Sequence, residues 1–98
     1  MNANVAQTIL SQLGGGRFIA MAGAKDLLAD VNGLSCKIGR NARKVNYLTV
    51  VLDGDDTYTV TSYHYGKYEL NQLDAASNVY ADQLQREVER QTGLYLSL

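Results

Sequence analysis

The sequence predicts an α+β fold: an N-terminal helix, a mainly antiparallel five-stranded meander sheet, and a C-terminal helix packed on one sheet face. Three observations carry that expectation. Between Tyr47 and Leu73, Tyr, Thr and Val dominate and large side chains return at every second residue, the period of a strand with one buried face. The dipeptide Asn32-Gly33 lies between two further segments, the strongest short hairpin signal available. Toward both ends of the chain, apolar residues recur at helical spacing instead.

In chain order, Asn4 to Leu13 places Val5, Ala6, Ile9, Leu10 and Leu13 on one side of a short amphipathic helix and Gln7, Thr8, Ser11 and Gln12 on the other. Gly14-Gly15-Gly16 ends it, because glycine accepts the left-handed conformation of a helix C-cap. Arg17 to Gly23 fits a buried strand, a helical turn or an irregular apolar plug equally, since periodicity cannot assign so short a run. Lys25 to Asp30 and Leu34 to Ile38 form the arms of the hairpin, with Asn32-Gly33 expected to supply the positive φ of a primed turn.

Gly39 to Lys44 is a polar connection. Asn46 to Leu52 is the next strand, with Leu48, Val50 and Leu52 on one face and Tyr47, Thr49 and Val51 on the other. Asp53-Gly54-Asp55-Asp56 turns the chain, Thr57 to Tyr65 returns, Gly66-Lys67 turns again, and Lys67 to Leu73 is the last strand. Asp74 to Asn78 leads into the second helix, with Ser77 or Asn78 as its cap. Val79, Tyr80, Leu84, Val88 and Gln91 make its inner stripe, Gly93 its C-cap, and Leu94, Leu96 and Leu98 an apolar tail that packs back on the body or docks on a partner.

Bulk properties bound the function. Ninety-eight residues suit one domain, 1–98, and hydrophobic residues at 46% against 19% charged exclude a disordered chain. A net charge of −1 supplies no global field toward nucleic acid or anionic membrane. Cys36 is the only cysteine, which excludes an intrachain disulfide and any multi-cysteine metal site. The N-terminus shows no cationic region before an apolar core, and no apolar run approaches the roughly 20 residues that span a bilayer. The chain therefore reads as soluble and cytoplasmic, without a membrane partner.

The residues Gln12-Leu13-Gly14-Gly15-Gly16-Arg17-Phe18-Ile19-Ala20-Met21-Ala22-Gly23-Ala24-Lys25, with Val79-Tyr80-Ala81-Asp82-Gln83-Leu84 and Thr92-Gly93-Leu94-Tyr95, resemble a group of small phage and mobile-element proteins of unknown function. The resemblance implies a bacterial or phage cytoplasm and an accessory role such as host manipulation or defence evasion. It transfers no functional residue.

No catalytic or cofactor signature stands out, and the expectation is a non-enzymatic protein with no cofactor and no metal. His64 is the only histidine, and the spacing of Ser35 and Ser62 places neither beside it as a nucleophile. Asp53, Asp55 and Asp56 crowd one turn, but an EF-hand loop needs a glutamate where His64 stands. The triple glycine before Arg17 follows a helix, and no Lys-Ser or Lys-Thr pair follows it, unlike a phosphate loop.

Two surfaces remain. Lys37, Arg40, Arg43 and Lys44 put four cations on or beside one connection with no acid among them, a candidate contact for nucleic-acid phosphates. Tyr47, Tyr63 and Tyr65 fall on the strand faces opposite the aliphatic residues, with His64 and Tyr68 nearby; tyrosine there offers large contact area with a polar tip. These five are the candidates for protein contact, through the open sheet face or a sheet edge, self-association included.

Overall fold

The computed structural model of the chain describes residues 3–41 and 43–94. Its elements are α1 (Ala3–Leu13), α2 (Gly16–Ala22), β1 (Lys25–Ala29), β2 (Gly33–Lys37), β3 (Tyr47–Leu52), β4 (Tyr58–Tyr65), β5 (Leu70–Val79), a 3₁₀ turn (Ala81–Gln83) and α3 (Leu84–Thr92). The strands form one antiparallel sheet in the order β1-β2-β3-β4-β5. The fold is α+β, with helices over one face of a five-stranded meander.

α1 buries the predicted stripe, and Ile9 and Leu13 are fully enclosed. The Gly15 amide closes the helix by donating back to the Leu10 carbonyl at 2.8 Å, with φ of 125° at Gly14 and 59° at Gly15. The undecided segment after it is helical. Phe18 has no exposed surface, Ala22 is buried beside it, and Gly23 stops the turn in the left-handed region with φ 62°. The gain from burying Phe18, roughly 2–3 kcal/mol, outweighs the weak helix preference of seven residues that begin with glycine.

The hairpin β1-β2 forms, but Asn32-Gly33 does not turn it as expected. The Asp30 amide donates to the Gly33 carbonyl at 2.8 Å, so Val31 and Asn32 are the central residues, and neither Asn32 nor Gly33 has positive φ. Gly33 belongs to β2, where a Cβ would lie 2.5 Å from the Val50 carbonyl oxygen of β3. Close approach of two backbones, not turn conformation, requires glycine there.

β3 and β4 follow their alternation. Leu48, Val50, Tyr58 and Val60 are buried under the helices. β5 departs from expectation: it continues six residues past Leu73 and takes in the segment read as a helix lead-in. Asn78 caps no helix; it holds φ 58° at an irregularity in the ladder. The physical reason is β4, whose eight residues present backbone groups that need partners along their whole length. β5 spends ten residues on those eight, and two register shifts absorb the excess.

In consequence Val79 is a buried strand residue opposite Tyr58, while Tyr80 lies outside the helix stripe and is exposed. α3 starts at Leu84 and buries Leu84, Val88, Gln91 and Thr92. It ends as expected at Gly93, with φ 76°. Gln91 donates to the Val60 carbonyl at 3.1 Å and to Glu87 at 2.9 Å, which accounts for an amide in an otherwise apolar stripe. Gln85 donates to the Leu13 carbonyl at 3.0 Å and joins α3 to α1. Of the expected apolar tail, Leu94 packs against the core, while Leu96 and Leu98 lie outside the described residues.

Candidate interaction surface

The three helices pack into one core on one side of the sheet, so the other side has no covering layer among the described residues. Its composition follows from strand alternation and register. One row across it runs Lys25, Lys37, Tyr47, Tyr63, Gln72, and the next runs Leu28, Ser35, Thr49, Thr61, Ala75. Val51 and Thr59 continue it toward the acidic turn, and Tyr65 opposite Leu70 closes the other end. A shallow groove passes between Ser35, Tyr47, Thr49 and Val51.

Tyr47 and Tyr63 are cross-strand neighbours with ring centroids 6.0 Å apart and planes tilted by 58°. A cross-strand aromatic pair contributes roughly 0.2–1 kcal/mol, so its main effect is to hold two half-buried rings in fixed orientation. Tyr65 is 62% exposed. Tyr68 lies in the β4–β5 turn, 88% exposed, with the Lys67 ammonium 5.5 Å from its ring centroid. Tyr47, Tyr63 and Tyr65 therefore share the open face. Tyr68 stands at its rim, and His64, one residue from each of two open-face tyrosines, takes the opposite side of β4.

His64 places Nδ1 2.8 Å from the Lys44 carbonyl oxygen. A carbonyl only accepts, so Nδ1 carries the proton. The contact fixes the end of the basic connection, where Lys44 holds φ 60°. Asn41 organises the rest: its Nδ2 donates to the carbonyls of Gly39 and Val45, and its Oδ1 accepts from the amides of Arg43 and Val45. Arg40, Arg43 and Lys44 are exposed, while Lys37 pairs with Asp26 at 3.3 Å. Exposed pairs of this kind contribute roughly 0–1 kcal/mol and leave Lys37 free to exchange partners.

The meander brings together what the sequence separates. Lys25, Lys37, Arg40, Arg43, Lys44 and Lys67 gather at one end of the sheet with only Asp26 and Glu69 among them. They account for six of the nine lysines and arginines of the chain. The turns at the other end carry Asp30, Asp53, Asp55 and Asp56 and no cation. Lys25 and Lys67 escaped the sequence reading because their place beside the basic connection depends on β1–β2 and β4–β5 pairing. The alternation that put Tyr47 on the open face also carries Leu28 and Val51.

Other candidate chemistry is taken apart by the same geometry. Two of the three aspartates of the β3–β4 turn are engaged locally. Asp55 Oδ1 accepts from the Thr57 hydroxyl at 2.6 Å, which holds the Asp55 carboxyl below its usual range, and Asp53 accepts from Thr59 at 2.7 Å. No group of three or more His, Cys, Asp or Glu side chains is placed to hold a metal ion among the described residues. The turn and His64 sit at opposite ends of β4, about 20 Å apart by strand rise. Ser62 is fully buried in the core, so it offers no accessible nucleophile. Burial pushes the Cys36 thiol up to about 11, far from a reactive thiolate. No helix among the described residues is long and apolar enough to cross a membrane.

Comparisons with protein families, with curated proteins and with solved structures find no match to this chain.

Proposed function

We propose that the protein acts by binding another protein through the open face of its sheet, as a non-enzymatic accessory protein of phage or mobile-element origin working in a bacterial cytoplasm, in host manipulation or defence evasion. One observation carries the binding surface: among the described residues the helices leave one sheet face uncovered, and that face presents an oriented tyrosine pair flanked by exposed Leu28, Val51 and Tyr65. Uncovered sheet faces ordinarily read polar at alternate positions, and rigid aromatic anchors with polar tips are the side chains that dominate protein contacts. The origin and role rest on the sequence resemblance alone.

The test is capture from bacterial lysate with immobilised protein, in parallel with Tyr47→Ser and Tyr63→Ser. A specific captured protein lost with either substitution supports the proposal. Capture indifferent to both, with both variants folded, overturns it.

A second reading has its own observation. The gathered cations adjoin the tyrosine row through Lys37, cross-strand neighbour of Tyr47. Stacking platforms beside a basic rim bind single-stranded nucleic acid. Retention of single strands that falls steeply with salt, and falls again on charge reversal of Arg40 and Arg43, supports it; retention indifferent to both excludes it.

A further inference from the structure

The open face divides into two unlike halves about one row. Ser35, Thr49, Thr61 and Ala75 form that row as neighbours across β2 to β5, with exposed Leu28 at its β1 end. Two residues toward the basic end of the sheet stand Lys37, Tyr47 and Tyr63, which carry bulk and positive charge. Two residues the other way stand Gly33, Val51 and Thr59, with smaller side chains or none. The shallow groove of this half is bordered by Asp30, and the Asp53 carboxylate reaches the same face by accepting from the Thr59 hydroxyl.

From this division we infer that the open face receives the open face of a second copy, packed sheet on sheet about a two-fold axis that follows the central row. The inference rests on the reading of that face as a protein contact and names its occupant. A two-fold interface requires a patch complementary to itself. Rotation about the row meets the requirement, because Lys37, Tyr47 and Tyr63 lie as far from it on one side as Gly33, Val51 and Thr59 on the other. Tyr47 of each copy is thereby set over Val51 of the second copy, Tyr63 over Thr59, and Lys37 over Gly33 beside Asp30. The central row faces itself, and its small side chains let the two sheets approach to the usual separation of about 10 Å. The two Leu28 side chains, 61% exposed in the single chain, meet near the axis.

Charge selects this orientation. A two-fold axis along the strands would stack the cations of the basic end on their own copies, and the aspartates of the other end on theirs, whereas an axis across the strands sets unlike ends together. Lys37, whose pair with Asp26 is exposed and exchangeable, and Asp30, which has no ion pair among the described residues, then form two equivalent pairs between the copies. Aligned sheets cross at about −30°, which is reached by turning the axis about 15° from the perpendicular to the strands. The turn shifts facing residues by about 3 Å, less than the ~4.8 Å between strands. Five strands give a face of roughly 20 by 20 Å, about 400 Å2 in projection and below the ~800 Å2 per partner of a standard interface. The dimer is therefore weak and concentration-dependent, and a tighter-binding foreign protein displaces the second copy.

Sedimentation velocity from low micromolar to near-millimolar protein tests the inference on the wild type, Asp30→Lys, Lys37→Asp, the double variant, Thr49→Lys and Arg86→Glu. Lysate capture with wild type and Tyr47→Ser runs in parallel. Each single reversal, counted twice by the symmetry, is expected to weaken the dimer about tenfold, and the double variant to restore it. Thr49→Lys sets two ammonium groups against each other at the axis and is expected to abolish dimerisation. Arg86→Glu, a reversal on the exposed side of α3, is expected to leave it unchanged. Unaltered thermal transitions show that the variants fold. A chain monomeric at every concentration overturns the inference, as does a dimer that Thr49→Lys leaves intact or that the double variant fails to restore. In either case capture that still depends on Tyr47 leaves the open face as a contact for foreign protein, with only its occupant wrong. Capture indifferent to Tyr47→Ser would overturn the reading of the face as well.

Discussion

Gly33→Ala separates two reasons for a glycine after Asn32. The backbone at Gly33 is not left-handed, so alanine meets no conformational penalty; its Cβ would instead lie 2.5 Å from the Val50 carbonyl oxygen and 3.3 Å from the Val51 Cα. Both are backbone atoms of the neighbouring strand and cannot rotate away. β2 or β3 must give by about 0.5 Å or more before the contact becomes tolerable. Overpacking of that kind costs about 1–3 kcal/mol. Alanine recovers roughly 0.5–1 kcal/mol through the smaller entropy of its unfolded chain. The net loss is on the order of 1–2 kcal/mol, a fall of about 5–15 °C in Tm for a domain of this size. Asn32→Ala is the control: Asn32 is exposed and lacks positive φ, so the change stays within about 0.5 kcal/mol. Urea and thermal unfolding of the two variants decide the matter. Were Asn32→Ala as costly as Gly33→Ala, Asn32 would be left-handed in a primed turn and the close-approach account would be wrong.

Phe18→Ala removes a fully buried ring and is expected to cost about 3–5 kcal/mol in urea unfolding; a loss below about 1 kcal/mol would place Phe18 outside the core. Cys36, buried with its thiol raised to about 11, is expected to resist a thiol reagent at pH 8 until the protein unfolds, and rapid native labelling would contradict its place in the core. The Thr57 hydroxyl lowers the Asp55 pKa from 3.8, so ionised Asp55 favours the fold above its unfolded-state pKa. That contribution is lost as pH falls through the lower, folded value. Acid titration of stability below about pH 4 is therefore expected to be shallower in Asp55→Asn than in wild type. Identical acid limbs would show that the hydrogen bond has no thermodynamic weight.

The basic group at Lys37, Arg40, Arg43 and Lys44 was legible as a run of charge, and the face of Tyr47 as an alternation. Their nearness was not, because it depends on Lys37 pairing with Tyr47 and Tyr47 with Tyr63 across strands 10 to 16 positions apart. His64 was grouped with the tyrosines by sequence distance, whereas a strand sends neighbours to opposite faces, and the backbone carbonyl of Lys44 engages its ring. The edge character of β5 was hidden for another reason: Asp74-Ala-Ala-Ser-Asn resembles a helix start, and only the vacant side of β4 makes it strand.

What the sequence determined by itself is whatever is local and periodic. The stripe of α1, the alternation of β3 and β4, the glycine stops at Gly14, Gly15 and Gly93, and the α+β class all follow from side-chain spacing and backbone preference. Tertiary structure alone decided the helical state of Gly16–Ala22, the length of β5, the role of Gly33 and the gathering of cations at one sheet end. In each of these, burial of a side chain or pairing of a distant backbone outweighs local preferences of less than about 1 kcal/mol per residue. A reader of neighbouring residues alone has no access to the stronger force.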